Sequence, residues 1–116
     1  MGKLALIAGA GAVGVLARYA ISLIAPSIWA TMGVNVLGSL LLGALVHLGR
    51  DLGPDVRDVL GVGLLGGFTT FSTFSVHALL EADGGRPAVA AVYVGASVTL
   101  GVAAAALGFY GARALA

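Results

Sequence analysis

Ten consecutive residues, 66–75, hold five hydroxyls, three phenylalanines and two adjacent glycines: Gly66-Gly67-Phe68-Thr69-Thr70-Phe71-Ser72-Thr73-Phe74-Ser75. They lie inside residues 59–80, a stretch without Asp, Glu, Lys or Arg. A single Ser or Thr in an apolar helix bonds back to its own backbone and says little. Five beside a Gly-Gly pair say more. Glycine lowers the cost of leaving helical geometry, and nearby hydroxyls satisfy the backbone groups so released. The run therefore predicts a helix broken in mid-span, where freed carbonyls suit cations while N–H groups and hydroxyls suit anions. Phe68, Phe71 and Phe74 recur every three residues, which on a continued helix puts them along one side. Such stripes usually mean packing. The alternative is a path lined by ring edges, which carry partial positive charge.

Other polar residues interrupt the apolar sequence and bear on the same chemistry. Arg18 lies about 12 Å inside the Pro26 end of the first apolar stretch, at 1.5 Å per residue. It is either a snorkelling side chain or a cation facing an aqueous vestibule. Asn35, about a turn into the second stretch, is either an adhesive between helices or an N–H donor to an anion. Tyr93 and Ser97, four apart, share a helix face, with Thr99 displaced around it; packing and path-lining are both open to them. His47 and His77 are assigned to interfacial positions near helix ends, without a role.

Two absences narrow the function further. No acidic residue occurs between residues 59 and 80, or anywhere before Asp51. Proton-coupled transporters depend on an intramembrane carboxylate, so a small proton-coupled multidrug exporter is disfavoured. No nucleophile–base pair is placed for catalysis, so the chain is not expected to be an enzyme. Gly9, Gly11 and Gly14 do spell the G-x-G-x-x-G of a dinucleotide-binding turn. The acid required about 20 residues later is missing, and the expectation for these glycines is helix packing. The embedded chemistry is donors and one cation, which suits an anion.

The elements that must position these residues follow from composition. Of 116 residues 59% are apolar and 9% charged, with a mean hydropathy of +1.07; a soluble domain has about a quarter charged. Four stretches each long enough to cross a hydrocarbon core give spans at about 4–25, 30–49, 57–80 and 87–112, in a single domain covering 1–116. In lipid, backbone groups must be satisfied within the segment, so the spans are helices. The first stretch runs too long for a secretory signal core and is kept as a mature helix. Pro26 and Ser27 break the chain after it, and Pro87 is suited to open the last helix. Four spans put both termini on one side, with Lys3, Arg50, Arg57 and Arg113; Arg86 is on the other. That bias weakly favours cytoplasmic termini and is compatible with insertion in both orientations. Small residues such as Gly63 and Gly67, four apart, let membrane helices approach closely. A net charge of +1 gives no reason to expect nucleic acid, and the absence of cysteine excludes disulfides.

Three segments resemble the CrcB/Fluc family of fluoride channels: Gly14-x-x-x-Arg18, then Gly33-Val34-Asn35-Val36-Leu37-Gly38, then residues 66–75. With the four-span layout, the resemblance covers essentially the whole chain. It implies an antiparallel homodimer in the cell membrane whose subunits insert in both orientations, enclosing two pores; pairing with an oppositely oriented homologue is the variant. It further implies that Asn35 donates to fluoride and that Phe71 and Phe74 line the pores with ring edges. Ser72 and Thr73 would add hydroxyls, Tyr93, Ser97 and Thr99 the polar positions of the fourth helix, and Arg18 the vestibule. The carbonyls of Gly66 and Thr69 would hold a structural sodium ion at the dimer centre. The residues themselves give an anion conducted through donors that replace its water; fluoride, and passive export that protects the cell, come from the resemblance. A purely structural membrane subunit with adhesive polar residues is the remaining alternative.

Overall fold

The computed structural model describes residues 2–115, all of whose regular structure is helical. Helix α1 (Gly2–Ile24) and helix α2 (Ile28–Leu48) are joined by a short link. There Ser27 accepts a hydrogen bond from the Trp29 N–H at 3.0 Å and caps α2, the role that a hydroxyl before a helix fills best. A 3₁₀ turn, Gly49–Asp51, leads to α3 (Pro54–Asp58), with proline in its first turn. The chain continues as a π-helix over Val59–Leu65 and the short α4 (Gly66–Phe68). After a non-helical stretch it enters α5 (Ser72–Asp83), and α6 (Pro87–Leu115) completes the fold. Pro87 opens α6, where its missing N–H costs nothing. Gly85, the one described residue with positive φ (83°), makes the reversal before it.

Four helical paths are long and apolar enough to cross a membrane: Gly2–Ile24, Ile28–Asp51, Pro54–Asp83 and Pro87–Leu115. The last three extend past their charge-free stretches, so that apart from Arg18 within α1 the charged residues sit on or beyond the end turns. Lys3 shows why that is stable. Its ammonium meets Asp58 at 2.6 Å and Asp55 at 3.5 Å, holding the start of α1 beside the start of the third path. At the opposite end Arg86 pairs with Glu81, which raises the guanidinium pKa above its ordinary value through hydrogen bonding and charge.

Packing is the reverse of a soluble domain's. Leu4, Ile24, Leu107 and Leu115 face outward, whereas most buried positions are glycine or alanine. Lipid tails are as apolar as leucine, so membrane helices associate by close approach rather than by expelling water. Two crossings depend on it. In the first, α1 lies on the π-helix and α4. A Cβ on Gly67 would collide with the Gly11 carbonyl oxygen, and one on Gly14 would lie 2.8 Å from the Phe68 nitrogen. Two glycines of the rejected nucleotide motif, Gly11 and Gly14, thus form a helix seam, and the Gly63–Gly67 pair is its other face; Gly9 is exposed, with open space beside it, and does not pack. The second crossing joins α2 and α6, where a Cβ on Gly108 would strike the Leu40 carbonyl oxygen and one on Gly43 the Ala105 carbonyl oxygen.

These contacts are to backbone, which cannot rotate aside. Overpacking costs about 1–3 kcal/mol even where side chains yield. Gly108→Val is therefore expected to lose the monodisperse species seen by size-exclusion chromatography in detergent. Gly111→Ala, where a Cβ meets open space, is expected to leave it unchanged. Equal behaviour of the two variants would count against the α2–α6 seam.

Candidate functional site

Between α4 and α5 the backbone leaves the helix at Thr69, whose φ of −89° and ψ of 157° are extended. Leu65 accepts from both the N–H (3.1 Å) and the hydroxyl (3.0 Å) of Thr69, which closes off the first half. The Thr70 hydroxyl accepts from the Thr73 N–H at 3.2 Å and starts the second half. The peptide groups of Thr70 itself go elsewhere. Asn35, on α2, accepts from the Thr70 N–H at 2.8 Å and donates through Nδ2 to the Thr70 carbonyl at 2.9 Å. Because an N–H can only donate, this pair of bonds fixes which way the Asn35 amide points.

The consequence is a set of released groups on either side of Thr70. Its N–H serves Asn35 rather than the Gly66 carbonyl, and the Thr73 N–H serves a hydroxyl rather than the Thr69 carbonyl. Among the described residues, no backbone N–H donates to the carbonyls of Gly66, Gly67, Phe68 or Thr69. Arg18 reaches one of them, with Nε 3.4 Å from the Gly67 oxygen. On the other side the Thr70 hydroxyl takes the Thr73 N–H, while the N–H groups of Phe71 and Ser72 donate to no backbone carbonyl among the described residues, as expected at a helix start. Acceptors are thus gathered at the end of one half-helix and donors at the start of the next, with the helix dipoles adding the same polarity.

Two grooves meet at this point. The first, about 290 Å³, is lined by Asn35, Ser39, Thr69, Thr70, Phe71, Phe74 and Ser97. Asn35 still has a second N–H available here, since an amide carries two. The Ser97 hydroxyl is enclosed and makes no hydrogen bond within the chain. The second groove, about 450 Å³, is lined by Arg18, Ser22, Ser27, Thr31, Thr70, Thr73 and His77, and it includes the link between α1 and α2. Thr70 belongs to both.

The aromatic residues divide around the same point. On an unbroken helix Phe68, Phe71 and Phe74 would form one stripe; here the chain turns between the first and the others. Phe68 ends α4 near Gly38, while Phe71 and Phe74 have ring centroids 5.7 Å apart. Phe74 is buried and continues to Tyr93 (5.2 Å), itself fully buried, whose ring meets Trp29 edge-on. Phe71 is 78% exposed. Ser72 and Thr99 are exposed as well, so a single chain leaves them outside either groove.

Arg18 bends to the break instead of lying free along α1, and it is half-buried. His77, six residues before the Asp83 end of its helical path, lines the Arg18 groove beside the link between α1 and α2. Its place in the sequence gave no sign of that, because the groove wall is supplied by α1 and α2. His47 is near the end of α2, edge-on to Phe109.

A bundle of four apolar helical paths, with a part-buried polar cluster between them, defines a multi-pass membrane protein. The family described as CrcB-like protein, Camphor Resistance (CrcB), matches residues 5–109, and the chain belongs to that family. A fluoride-specific ion channel FluC from Erythrobacter litoralis (strain HTCC2594) is 41% identical over 116 residues, covering 88% of this chain and 85% of the relative. Fluoride-specific ion channel FluC 1 from Rhodococcus jostii (strain RHA1) is 45% identical, covering 90% of this chain and 80% of its own. The FluC of Caulobacter vibrioides (strain NA1000 / CB15N) is 41% identical and covers 97% of both chains.

Removing the Asn35 side chain leaves both Thr70 peptide groups without partners, at about 1–3 kcal/mol for each buried group. Asn35→Ala is therefore expected to accelerate amide hydrogen exchange in residues 69–75 well above that in α6. Exchange unchanged in that segment would mean that the amide does not hold the turn.

Proposed function

We propose that the chain is the subunit of a fluoride channel, through which fluoride leaves the cell down its own gradient and cytoplasmic fluoride toxicity is reduced. The observation that carries the reading is kinship: relatives matching nearly the whole chain bear the name fluoride-specific ion channel. The site chemistry agrees. Fluoride is small and strongly hydrated, so it moves through a protein only where donors replace its water. The second Asn35 N–H and the unbonded Ser97 hydroxyl are such donors, and both line the groove beside Phe71 and Phe74. Ring edges attract an anion weakly enough to let it go.

On this reading the working channel is an antiparallel dimer of oppositely inserted chains with two pores, and the break around Thr70 lies at mid-membrane. The 78% exposure of Phe71 supports a second chain against it, since one chain alone does not enclose its groove. Thr73 extends the path toward the Arg18 vestibule, and Ser72, Tyr93 and Thr99 are its further polar positions. Structural sodium fits the residues present. The carbonyls of Gly66 and Thr69 have lost their helical donors, and neutral oxygen ligands suit a hard monovalent cation. These two would hold the ion, which would supply positive charge and rigidity at the dimer centre without crossing the membrane itself.

The test is fluoride-electrode efflux from liposomes containing the purified protein, with chloride run alongside. Fluoride loss with chloride retained is expected. Phe71→Ile and Asn35→Asp are each expected to cut the flux about tenfold or more, equivalent to roughly 1.4 kcal/mol in the barrier. Because Phe71 is exposed on the single chain, its loss does not open a cavity there, and a slow but dimeric variant separates conduction from folding. Replacing sodium throughout by a bulky organic cation is expected to lower dimer stability to heat. Undiminished flux in both variants would overturn the residue assignment.

A further inference from the structure

We infer that a third groove, between α2 and the start of the third helical path, holds a zwitterionic phospholipid of the phosphatidylethanolamine class, its phosphate on Arg57 and its ammonium on Asp58. The groove has a volume of about 240 Å³. Leu42, Val46 and Val62 form its apolar walls, and Arg57 and Asp58 stand at its mouth. It shares only Leu42 with the two grooves that meet at Thr70. The inference therefore goes beyond the channel reading and does not rest on it.

Position and charge both fit a lipid. Leu42 lies about 10 Å along α2 from Gly49, at 1.5 Å per residue, so the groove runs from the charged end turns into the apolar span. Leu42, Val46 and Val62 are exposed on the chain, and the medium beside such a flank in a membrane is acyl chain. At the mouth two opposite charges, adjacent in sequence, face one space. Arg57 lays its aliphatic stem against Gly49, where a Cβ would come within 3.1 Å of its Cδ. Its guanidinium enters none of the ion pairs among the described residues, and that planar fork suits phosphate. The ion pair of Asp58 with Lys3 runs through Oδ2 at 2.6 Å, which leaves Oδ1 to accept from another donor. α1, the 3₁₀ turn and α3 set Lys3, Arg50 and Arg57 against Asp51, Asp55 and Asp58, so these turns carry no net charge to favour an anionic lipid. A phosphoethanolamine head supplies an anion for Arg57 and N–H donors for Asp58. A choline head keeps the charge but has no N–H, and a glycerol head has no cation.

The experiment is native mass spectrometry of the purified protein in detergent, offered phosphatidylethanolamine, phosphatidylcholine and phosphatidylglycerol of identical acyl chains in equal amounts. Phosphatidylethanolamine is expected to be retained about fivefold over either competitor, the scale of one charged contact at a membrane surface. Arg57→Gln is expected to lower its retention by a similar factor. Arg113→Gln, on α6 and outside the groove, is expected to leave it unchanged. Gly61→Leu builds a side chain toward Leu42 and Leu45 and is expected to lower retention of all three lipids; should that variant not fold, Arg57→Gln carries the test. Equal retention of ethanolamine and choline lipids would mean that Asp58 reads no ammonium, and would overturn the inference. Preference for phosphatidylglycerol, or full retention in Arg57→Gln, would do the same. So would retention by the monomer that vanishes on dimerisation, which assigns the groove to a second chain. Fluoride flux is not the readout, so failure of the channel reading would leave this result standing.

Discussion

Two hydrogen bonds between the Asn35 side chain and the Thr70 peptide groups set the geometry of everything around them. In water, an open peptide finds a partner at no great cost. In a hydrocarbon layer it does not, and the helix would close through residues 69–71 and consume its own carbonyls. Asn35 supplies what water cannot: one acceptor and one donor on a rigid amide, matched to one N–H and one carbonyl. With those groups engaged sideways, the hydroxyls of Thr69 and Thr70 finish one helix and begin another. The acceptors left over belong to the first half and the donors to the second. One amide thereby separates an acceptor-rich end from a donor-rich end over a few residues.

The glycine seams explain why that separation survives. Helix α1 is locked to the π-helix and α4 through Gly11, Gly14, Gly63 and Gly67, and α2 is locked to α6 through Gly43 and Gly108. α5 packs on α6. The break thus joins two units, each built on a seam of backbone-to-backbone contact, with α5 held to α6 through the Phe74 and Tyr93 rings. Arg18 crosses from α1 to the Gly67 carbonyl within the first unit. Asn35 crosses from α2 to Thr70, and so ties the second unit to the joint itself.

Much of the scaffold was legible because the membrane imposes a coarse rule. Apolar stretches near 20 residues can be counted, and the four helical paths lie over them, the last three running a few residues past their ends. Helix ends tolerate charge when it is paired, as at Lys3 and Arg86, and a count of apolar residues does not register pairing. Gly11 and Gly14 were legible as packing because the acid of a nucleotide site was missing, whereas Gly9, read the same way, faces open space. Pairings across the bundle were not legible. Asn35 and Thr70 are 35 positions apart, and no spacing rule joins them. Phe68 parted from Phe71 and Phe74 because one extended residue, Thr69, cancels the three-residue recurrence. His77 looked peripheral by its position in the chain, yet its surroundings come from helices that precede it.

The Lys3 contacts carry a consequence in time rather than in space. Both partners, Asp55 and Asp58, are about fifty residues downstream, and a chain is synthesised from its N-terminus. When α1 first meets the membrane, Lys3 stands without these two carboxylates, because both belong to the third helical path. The charge that biases orientation is therefore at full strength early and is cancelled only when the third helix arrives. The finished molecule displays a nearly neutral end where the nascent one presented a bare cation.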